Sequence, residues 1–282
     1  MRSQLYASVL EHSRKFLPRR RNSRLGRLIE HVHPYWYQIV LLAVIPVAFW
    51  LDARTTSIGQ QNVLGACAWL LLLLSMRFSP PAERRQVWVM VGVASAVEVW
   101  SSIVWGIYRY RFGNVPMFVP PGHGLVYLWA LRAARTPILV RYPLQAKWFG
   151  LVGATVWAVF GLTLEPLLFG RLDVTGAMFW PLFMWFMRKP SAPIYASAFF
   201  VTSVLELVGT SFGTWRWQVF APVSHIPTGN PPSVISAGYC VMDYTSLRVA
   251  AMLPASGLLI YLWSRIRPGS DDDDDEVEVL AG

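Results

Sequence analysis

Apolar residues dominate nine stretches of this chain, and short segments rich in Arg, Lys, Pro and Gly separate them. A helix that crosses a bilayer needs about 20 predominantly apolar residues, or somewhat fewer when aromatic and basic residues flank it. The pattern therefore predicts an all-α, polytopic transmembrane helical bundle of eight or nine spans. The predicted spans cover residues 36–52, 61–77, 87–107, 119–134, 148–168, 174–188, 193–212, 231–247 and 249–265. The last two could form one kinked element broken at Pro254, so the number stays open between eight and nine.

Composition and charge agree with a membrane protein. Of 282 residues, 54% are hydrophobic and 15% are charged, whereas a soluble domain carries about a quarter charged residues. This excludes an ordinary soluble globule and a disordered chain. A basic segment at 1–34 precedes the first span, and an acidic segment at 266–282, predicted to be disordered, ends the sequence. The Lys and Arg bias between loops predicts a multi-pass protein of the bacterial inner (plasma) membrane with a cytoplasmic N-terminus. Membrane lipids are the expected partners, and nucleic-acid binding is not expected.

A short motif occurs twice. The pattern Gly-x-aromatic-Arg-aromatic occupies residues 106–110 and again residues 213–217, and a Pro-x-x-x-Pro-Pro segment follows each copy. A glutamate precedes each copy inside an apolar stretch, at Glu98 and at Glu206. The recurrence predicts two parallel four-span repeats, at 35–135 and 147–247, related by an axis along the membrane normal. A final span at 249–265 would follow them.

Acidic side chains inside apolar spans are the main candidates for chemistry. A carboxylate in the bilayer costs several kcal/mol unless it is paired or protonated. Glu98 and Glu206 are therefore candidate catalytic acids, although hydrogen bonding between helices would also explain them. Asp243 lies in the eighth predicted span, and its counterpart in the fourth span is Arg132. We expect these two residues to form a structural ion pair across the repeat axis.

Histidines and aromatic residues extend the candidate site. His123 follows a Pro-Pro pair, and His225 stands just before the second one. A histidine in such a loop could act as an acid or base or as a polar anchor, and it could equally be a hydrogen-bonded structural residue. His123 is the catalytic candidate of the two. The predicted ligand-binding residues are Tyr108, Tyr110, Trp215, Trp217, Asn230 and His225. The sequence shows no cysteine-based metal site and no phosphate-binding glycine loop, so no metal or cofactor is predicted.

The two motif segments resemble part of the membrane carotenoid-modifying enzymes, namely the bacterioruberin-type carotenoid hydratases and the related lycopene cyclase domains. The resemblance lies in the intramembrane acid, the Gly-x-aromatic-x-aromatic turn and the Val-Pro or Ile-Pro step at 115–116 and 226–227. It implies an apolar isoprenoid or carotenoid-like ligand and acid-catalysed hydration or cyclisation of a C=C bond, a lyase- or isomerase-type reaction. In this interpretation Glu98 and Glu206 are the acids, and the motif aromatics line the pocket.

Two non-enzymatic interpretations remain open at this stage. The chain could be an accessory subunit that binds pigment or lipid and packs against other membrane subunits in a larger complex. It could also be a transporter of lipids or small molecules. A transporter would need polar residues along a path through both leaflets, whereas the polar motif residues gather towards one side.

Overall fold

The computed structural model describes residues 33–77 and 79–253. The basic segment lies outside this range except for its last two residues, and so do the acidic segment and all but the first residues of the predicted span 249–265. The described part of the chain is mostly helical, as the hydrophobic pattern predicts. A single 3₁₀ turn, His33–Tyr35, precedes the first long helix.

The elements follow one another as long helices joined by short turns. They are α1 (Trp36–Asp52), α2 (Ile58–Arg77), α3 (Pro81–Glu98), a π-helical turn (Val99–Val104), β1 (Tyr108–Tyr110), α4 (Val119–Ala133), α5 (Pro137–Arg141), α6 (Pro143–Thr163), α7 (Glu165–Phe169), α8 (Val174–Met178), α9 (Trp180–Phe186), α10 (Ala192–Ser211), β2 (Trp215–Trp217) and α11 (Ser236–Met252).

Within residues 33–77 and 79–253, four helical segments are long and apolar enough to cross a membrane: α2, α3 with its π-helical turn, α6 and α10. The outer face of α6 is of the kind that packs against lipid. Phe149 is 70% exposed and Val156 is 62% exposed, and further large apolar side chains lie beside them. A contiguous apolar surface of this kind is unfavourable in water and favourable against lipid.

The helices that carry the motifs form the centre of the molecule. α3 packs against α4 and α11, and α10 packs against α4, α6 and α11. α4 is enclosed along most of its length, since its residues from Gly124 to Leu131 are all buried. α1 and α2 pack against α4 from outside. One apolar core surrounds the first motif and most of α4, and a second lies between α6, α9, α10 and α11.

Several predicted boundaries need correction. The predicted span 174–188 is two short helices, α8 and α9, which break at Phe179. Pro181 accounts for the new start, because proline lacks an N–H and fits best in a first helical turn, whereas in a helix interior it removes a hydrogen bond. The predicted span 148–168 is α6, which begins earlier at Pro143 and ends at Thr163. The predicted break between 247 and 249 is absent, because α11 is continuous to Met252.

The two copies of the motif form a small β-sheet that the all-α prediction did not include. β1 and β2 are antiparallel, and their register pairs Tyr108 with Trp217, Arg109 with Arg216 and Tyr110 with Trp215. Each strand follows the end of a long helix, α3 with its π-helical turn or α10. The sheet therefore joins the ends of the two helices that carry Glu98 and Glu206.

Candidate functional site

Both copies of the motif have the same local conformation. Gly106 and Gly213 each have φ of +71°, a left-handed conformation that glycine adopts without steric cost. Each glycine turns the chain out of a helix and into a three-residue strand. In both strands the aromatic residues are buried and the central arginine is exposed. The sheet thus presents four aromatic side chains to the interior and two arginines to the outside.

A π-helical turn compensates for a difference in spacing between the two copies. Glu98 lies eight residues before Gly106, whereas Glu206 lies only seven before Gly213. After Glu98 the chain forms the π-helical turn, in which the N–H of Trp105 donates to the carbonyl of Trp100 at 2.7 Å. A π turn takes one more residue than an α turn. The π-helical turn accommodates the additional residue of the first copy. As a result, Glu98 reaches β1 and Glu206 reaches β2 in the same way.

Glu98 is buried among two tyrosines and a histidine. The hydroxyls of Tyr108 and Tyr110 donate to Glu98 Oε2 at 2.6 and 2.7 Å. His123 Nε2 lies 3.3 Å from Glu98 Oε1. The other ring nitrogen, His123 Nδ1, is 3.0 Å from the carbonyl oxygen of Val119. The pKa values of the Tyr108 and Tyr110 hydroxyls lie far above the ordinary value. Burial is the largest cause, and the charge of Glu98 is the second. Both hydroxyls therefore keep their protons and serve as donors.

Glu206 has a different set of partners. The indole N–H groups of Trp215 and Trp217 donate to Glu206 Oε2 at 3.0 and 3.2 Å. The hydroxyl of Tyr239, on α11, is 2.9 Å from Glu206 Oε1. Gly209 makes room for this arrangement, because a Cβ at that position would lie 1.9 Å from the Trp215 ring.

The two carboxyl groups border one cavity of about 590 Å³. This volume lies within the range of about 300–1,000 Å³ that is typical of sites for small organic ligands. Most of the wall is aliphatic or aromatic and comes from α1, α2, α3, α4, α10 and α11. The polar residues of the wall are few, and the principal ones are Glu98, His123, Glu206, Tyr108, Tyr110, Trp215, Trp217 and Tyr239. The cavity is therefore suited to an apolar ligand with one chemically active end.

Aromatic rings connect the two halves of the site. The ring of Tyr108 lies 4.6 Å from that of Trp217, centroid to centroid. The rings of His123 and Tyr239 are stacked at 5.4 Å with only 12° between their planes. Tyr239 was not among the predicted residues. The offset of 111 that relates the two Pro-Pro segments would match it to Leu128, so no comparison between the repeats could have found it.

Each strand is anchored to the surrounding loops by an arginine. Arg111 follows β1 and donates to the carbonyl of Ala53 at 2.9 Å and to Thr55 Oγ1 at 2.6 Å. Arg171 donates to the carbonyls of Trp217 at 3.0 Å and Gln218 at 2.6 Å. The charged contacts that hold the sheet in place thus lie at its edges, apart from the aromatic side chains that face the cavity.

Asp173 holds the loop that follows β2, and no sequence pattern singled it out. Its side chain is fully buried, and it accepts hydrogen bonds from the backbone N–H groups of Gly176, Gly229 and Ser233. Asp173 also caps the N-terminus of α8, a position for which Asp is strongly preferred. That preference is the signal that could have identified it.

Two predicted ligand-binding residues lie elsewhere. Asn230 does not line the cavity; its side-chain oxygen accepts a hydrogen bond from the backbone N–H of Trp217 at 2.9 Å. His225 is exposed in the loop after β2, where it has φ of +53°, and it also lies outside the cavity wall. The second loop is four residues longer than the first, and this places the two histidines differently. His123 is therefore the only histidine among the described residues that borders the cavity.

The predicted ion pair between Asp243 and Arg132 is wrong. Arg132 donates to the carbonyl of Ser75 at 2.9 Å and to Ser79 Oγ at 3.1 Å, and its guanidinium lies over the ring of Tyr37. Within residues 33–77 and 79–253, no basic side chain lies within 4.0 Å of the Asp243 carboxyl group, and Oδ2 of Asp243 has no hydrogen-bond partner. The Ser75 carbonyl and the Ser79 hydroxyl accept hydrogen bonds from the arginine, so it does not need the acid.

No protein-family model, curated protein or solved structure matches this chain. The site must therefore be interpreted from its own geometry. That geometry comprises two buried carboxyl groups, one imidazole and a set of aromatic donors clustered on the wall of a mostly apolar cavity. Such groups can transfer a proton to or from a ligand, and the aromatic faces can stabilise a cation formed on it. Across the described residues, no cluster of three or more potential metal ligands is present.

Proposed function

We propose that this protein binds the end of an apolar isoprenoid or carotenoid-like lipid and catalyses acid–base chemistry on one of its C=C bonds. The observation that carries this proposal is the position of Glu98, Glu206 and His123 on the wall of one mostly apolar cavity. The hydrocarbon chain of an apolar lipid needs no hydrogen-bond partners, so the apolar part of the wall suits it. The carboxyl groups and the imidazole would then be the groups at its reacting end that can exchange a proton.

The proposed reaction starts with transfer of a proton from a carboxylic acid to one carbon of the double bond. The other carbon becomes a carbocation, which the faces of Trp215, Trp217 and the two motif tyrosines stabilise. In a hydration, the oxygen of a water molecule attacks the cation and the resulting oxonium returns a proton to the site. In a cyclisation, a second double bond of the same molecule attacks, and loss of a proton from the ring restores the acid. Neither route consumes a cofactor.

We also propose the full topology. α1, α4, α11 and the α8–α9 pair would complete a bundle of eight or nine spans, arranged as two parallel four-span repeats. The matching conformation of Gly106 and Gly213, and the antiparallel register centred on Arg109 and Arg216, support an approximate twofold relation. The distribution of Lys and Arg supports a bacterial plasma membrane location with a cytoplasmic N-terminus.

The test of this proposal is purification from membranes in mild detergent, followed by mass spectrometry and an absorption spectrum of the co-purified lipids. We expect a polyene or other isoprenoid to accompany the wild-type protein. Incubation with that lipid should yield a hydrated or cyclised product, and Glu98→Gln and Glu206→Gln should each reduce product formation by at least about 100-fold.

A matched control is Glu165→Gln, which replaces a buried acid that does not line the cavity. This variant should keep both the lipid and the activity. If the two cavity variants retain wild-type turnover, the acid–base proposal is wrong. If the protein instead co-purifies with other subunits and no lipid, the accessory-subunit interpretation takes its place.

A further inference from the structure

The two glutamates of the site occupy matching positions but have neighbours of different chemistry. Glu98 has two tyrosine hydroxyls and an imidazole within contact distance, and the imidazole can carry a positive charge. Glu206 has two indoles and one phenol, and none of these can become a cation. A buried carboxylate without a compensating charge is strongly disfavoured, whereas a neutral carboxylic acid is tolerated.

Hydrogen-bond lengths around the two groups show the same difference. The two tyrosine hydroxyls lie 2.6 and 2.7 Å from Glu98 Oε2, which is the range of O–H···O⁻ bonds to an ionised acceptor. Around Glu206 the comparable O–H donor, Tyr239, lies at 2.9 Å, towards the long end of the range for O–H···O bonds. The two indole N–H donors lie at 3.0 and 3.2 Å, the ordinary range of N–H···O bonds.

The donor types locate the proton on Glu206. An indole N–H can only donate. Two indoles therefore fix Glu206 Oε2 as an acceptor, that is, as the carbonyl oxygen of the acid. The hydroxyl of Tyr239 beside Oε1 can accept as well as donate, so it can satisfy a proton on Oε1.

The ring nitrogens of His123 can be assigned in the same way. Nδ1 lies 3.0 Å from a carbonyl oxygen, which only accepts, so Nδ1 carries a hydrogen. The remaining nitrogen, Nε2, makes no hydrogen bond among the described residues, but it lies 3.3 Å from Glu98 Oε1, within ion-pair distance. A proton on Nε2 makes the ring an imidazolium that neutralises the Glu98 carboxylate.

We propose that Glu206 is protonated on Oε1 and is the proton donor of the site, whereas Glu98 is an anion paired with a protonated His123. In the reaction proposed above, Glu206 gives its proton to the double bond and becomes a carboxylate. Glu98 stabilises the carbocation across the cavity. The proton released at the end of the reaction returns to Glu206 Oε1, where Tyr239 is the positioning residue that holds the oxygen. The assignment of roles rests on the proposed function, but the resting protonation states do not.

Infrared spectroscopy of the purified protein without added lipid tests the protonation states directly. The C=O stretch of a carboxylic acid is separate from the carboxylate bands and shifts in D₂O. Relative to wild type at neutral pH, Glu206→Gln should lose a carboxylic acid band, and Glu98→Gln should lose only carboxylate absorption. Spectra of Glu165→Gln and Asp243→Asn identify the contributions of two other buried acids. Glu206→Asp, which keeps an acid at this position, should shift the band and not abolish it.

Nitrogen NMR of ¹⁵N-histidine-labelled protein tests the partner. We expect an imidazolium signal that His123→Gln removes and that Glu98→Gln converts to a neutral imidazole. Loss of the acid band in Glu98→Gln but not in Glu206→Gln would overturn the assignment, and so would a neutral His123 in the wild type. A band assigned to Glu206 in a protein that neither binds nor converts an isoprenoid would support this inference and refute the proposed function.

Discussion

Gly209 provides the sharpest test of the site geometry. The substitution Gly209→Ala adds one methyl group to α10, at a point where a Cβ would lie 1.9 Å from Cη2 and 2.2 Å from Cζ3 of Trp215. Ordinary carbon contacts begin at about 3.5 Å, so the indole must move by about 1.5 Å or more. A movement of that size breaks the 3.0 Å hydrogen bond from Trp215 to Glu206.

The expected cost follows from three contributions. Overpacking of a buried site costs about 1–3 kcal/mol, and a lost hydrogen bond costs about 1 kcal/mol. Replacing glycine by alanine inside a helix returns up to about 1 kcal/mol. The net loss is about 2 kcal/mol, which corresponds to a fall in Tm of about 4–8 °C for a chain of this size.

The assay is thermal unfolding in detergent, followed by intrinsic tryptophan fluorescence. Gly92→Ala is the matched control, since Gly92 is exposed in the middle of α3 and no atom lies within 4 Å of the position its Cβ would take. The control should unfold at the same temperature as wild type or slightly higher. If Gly209→Ala is as stable as Gly92→Ala, Trp215 does not pack against α10 as described, and the argument for the Glu206 environment fails with it.

Three further predictions concern single groups. Asp243→Asn should leave Tm unchanged or raise it, because Asp243 has no cationic partner among the described residues; a large loss of stability would show a missed partner. Burial, with a smaller contribution from the charge of Asp173, raises the pKa of Glu165 from 4.5 to about 7. The folded state therefore holds this proton more tightly than the unfolded state does. As a result, the free energy of unfolding should fall as pH rises from about 4.5 to about 7. The variant Glu165→Gln should lack this part of the pH dependence. In detergent, N-ethylmaleimide should label Cys67, which is exposed on α2 and borders the cavity, faster than the buried Cys240. A linear polyene such as squalene should slow the labelling of Cys67 several-fold, and equal rates with and without it would contradict ligand binding beside Cys67.

The positions of the long helices could be predicted from hydrophobicity because burial in lipid and burial in protein both select apolar residues. Predicted and observed bounds agree best where a polar or proline residue marks the end, as at Asp52 and Arg77. The prediction failed where the ends of a helix extend beyond the apolar run. α6 begins at Pro143, and its first turns contain Gln145 and Lys147, polar residues that a hydrophobic pattern excludes.

The sequence also predicted which polar and aromatic residues line the cavity, but not how they meet. Glu98, Glu206, His123 and the four motif aromatics were all selected, and the structure brings them to one cavity. Their catalytic and binding roles stay predictions. The strand pairing was not foreseen, since three-residue strands are too short to show an alternating pattern. Tyr239 was missed because a lone tyrosine in an apolar helix looks like any other core residue.

Asn230 and His225 show the limit of arguing from a repeat. Their positions were inferred from the sequence around the second Pro-Pro pair, but the longer loop there takes a different path. Asn230 hydrogen-bonds the end of β2, and His225 lies outside the cavity wall. The two copies of the motif match in their glycine conformation and in their strand register, whereas the connections that follow them differ.

The π-helical turn after Glu98 bears on how relatives of this protein could be recognised. It allows one copy of the motif to hold an additional residue while its carboxylate still meets the strand that follows. A search pattern with one fixed distance between the acid and the glycine would detect only one half of such a protein. A pattern that accepts either seven or eight residues, and requires both halves in one chain, follows the spacing that this fold tolerates.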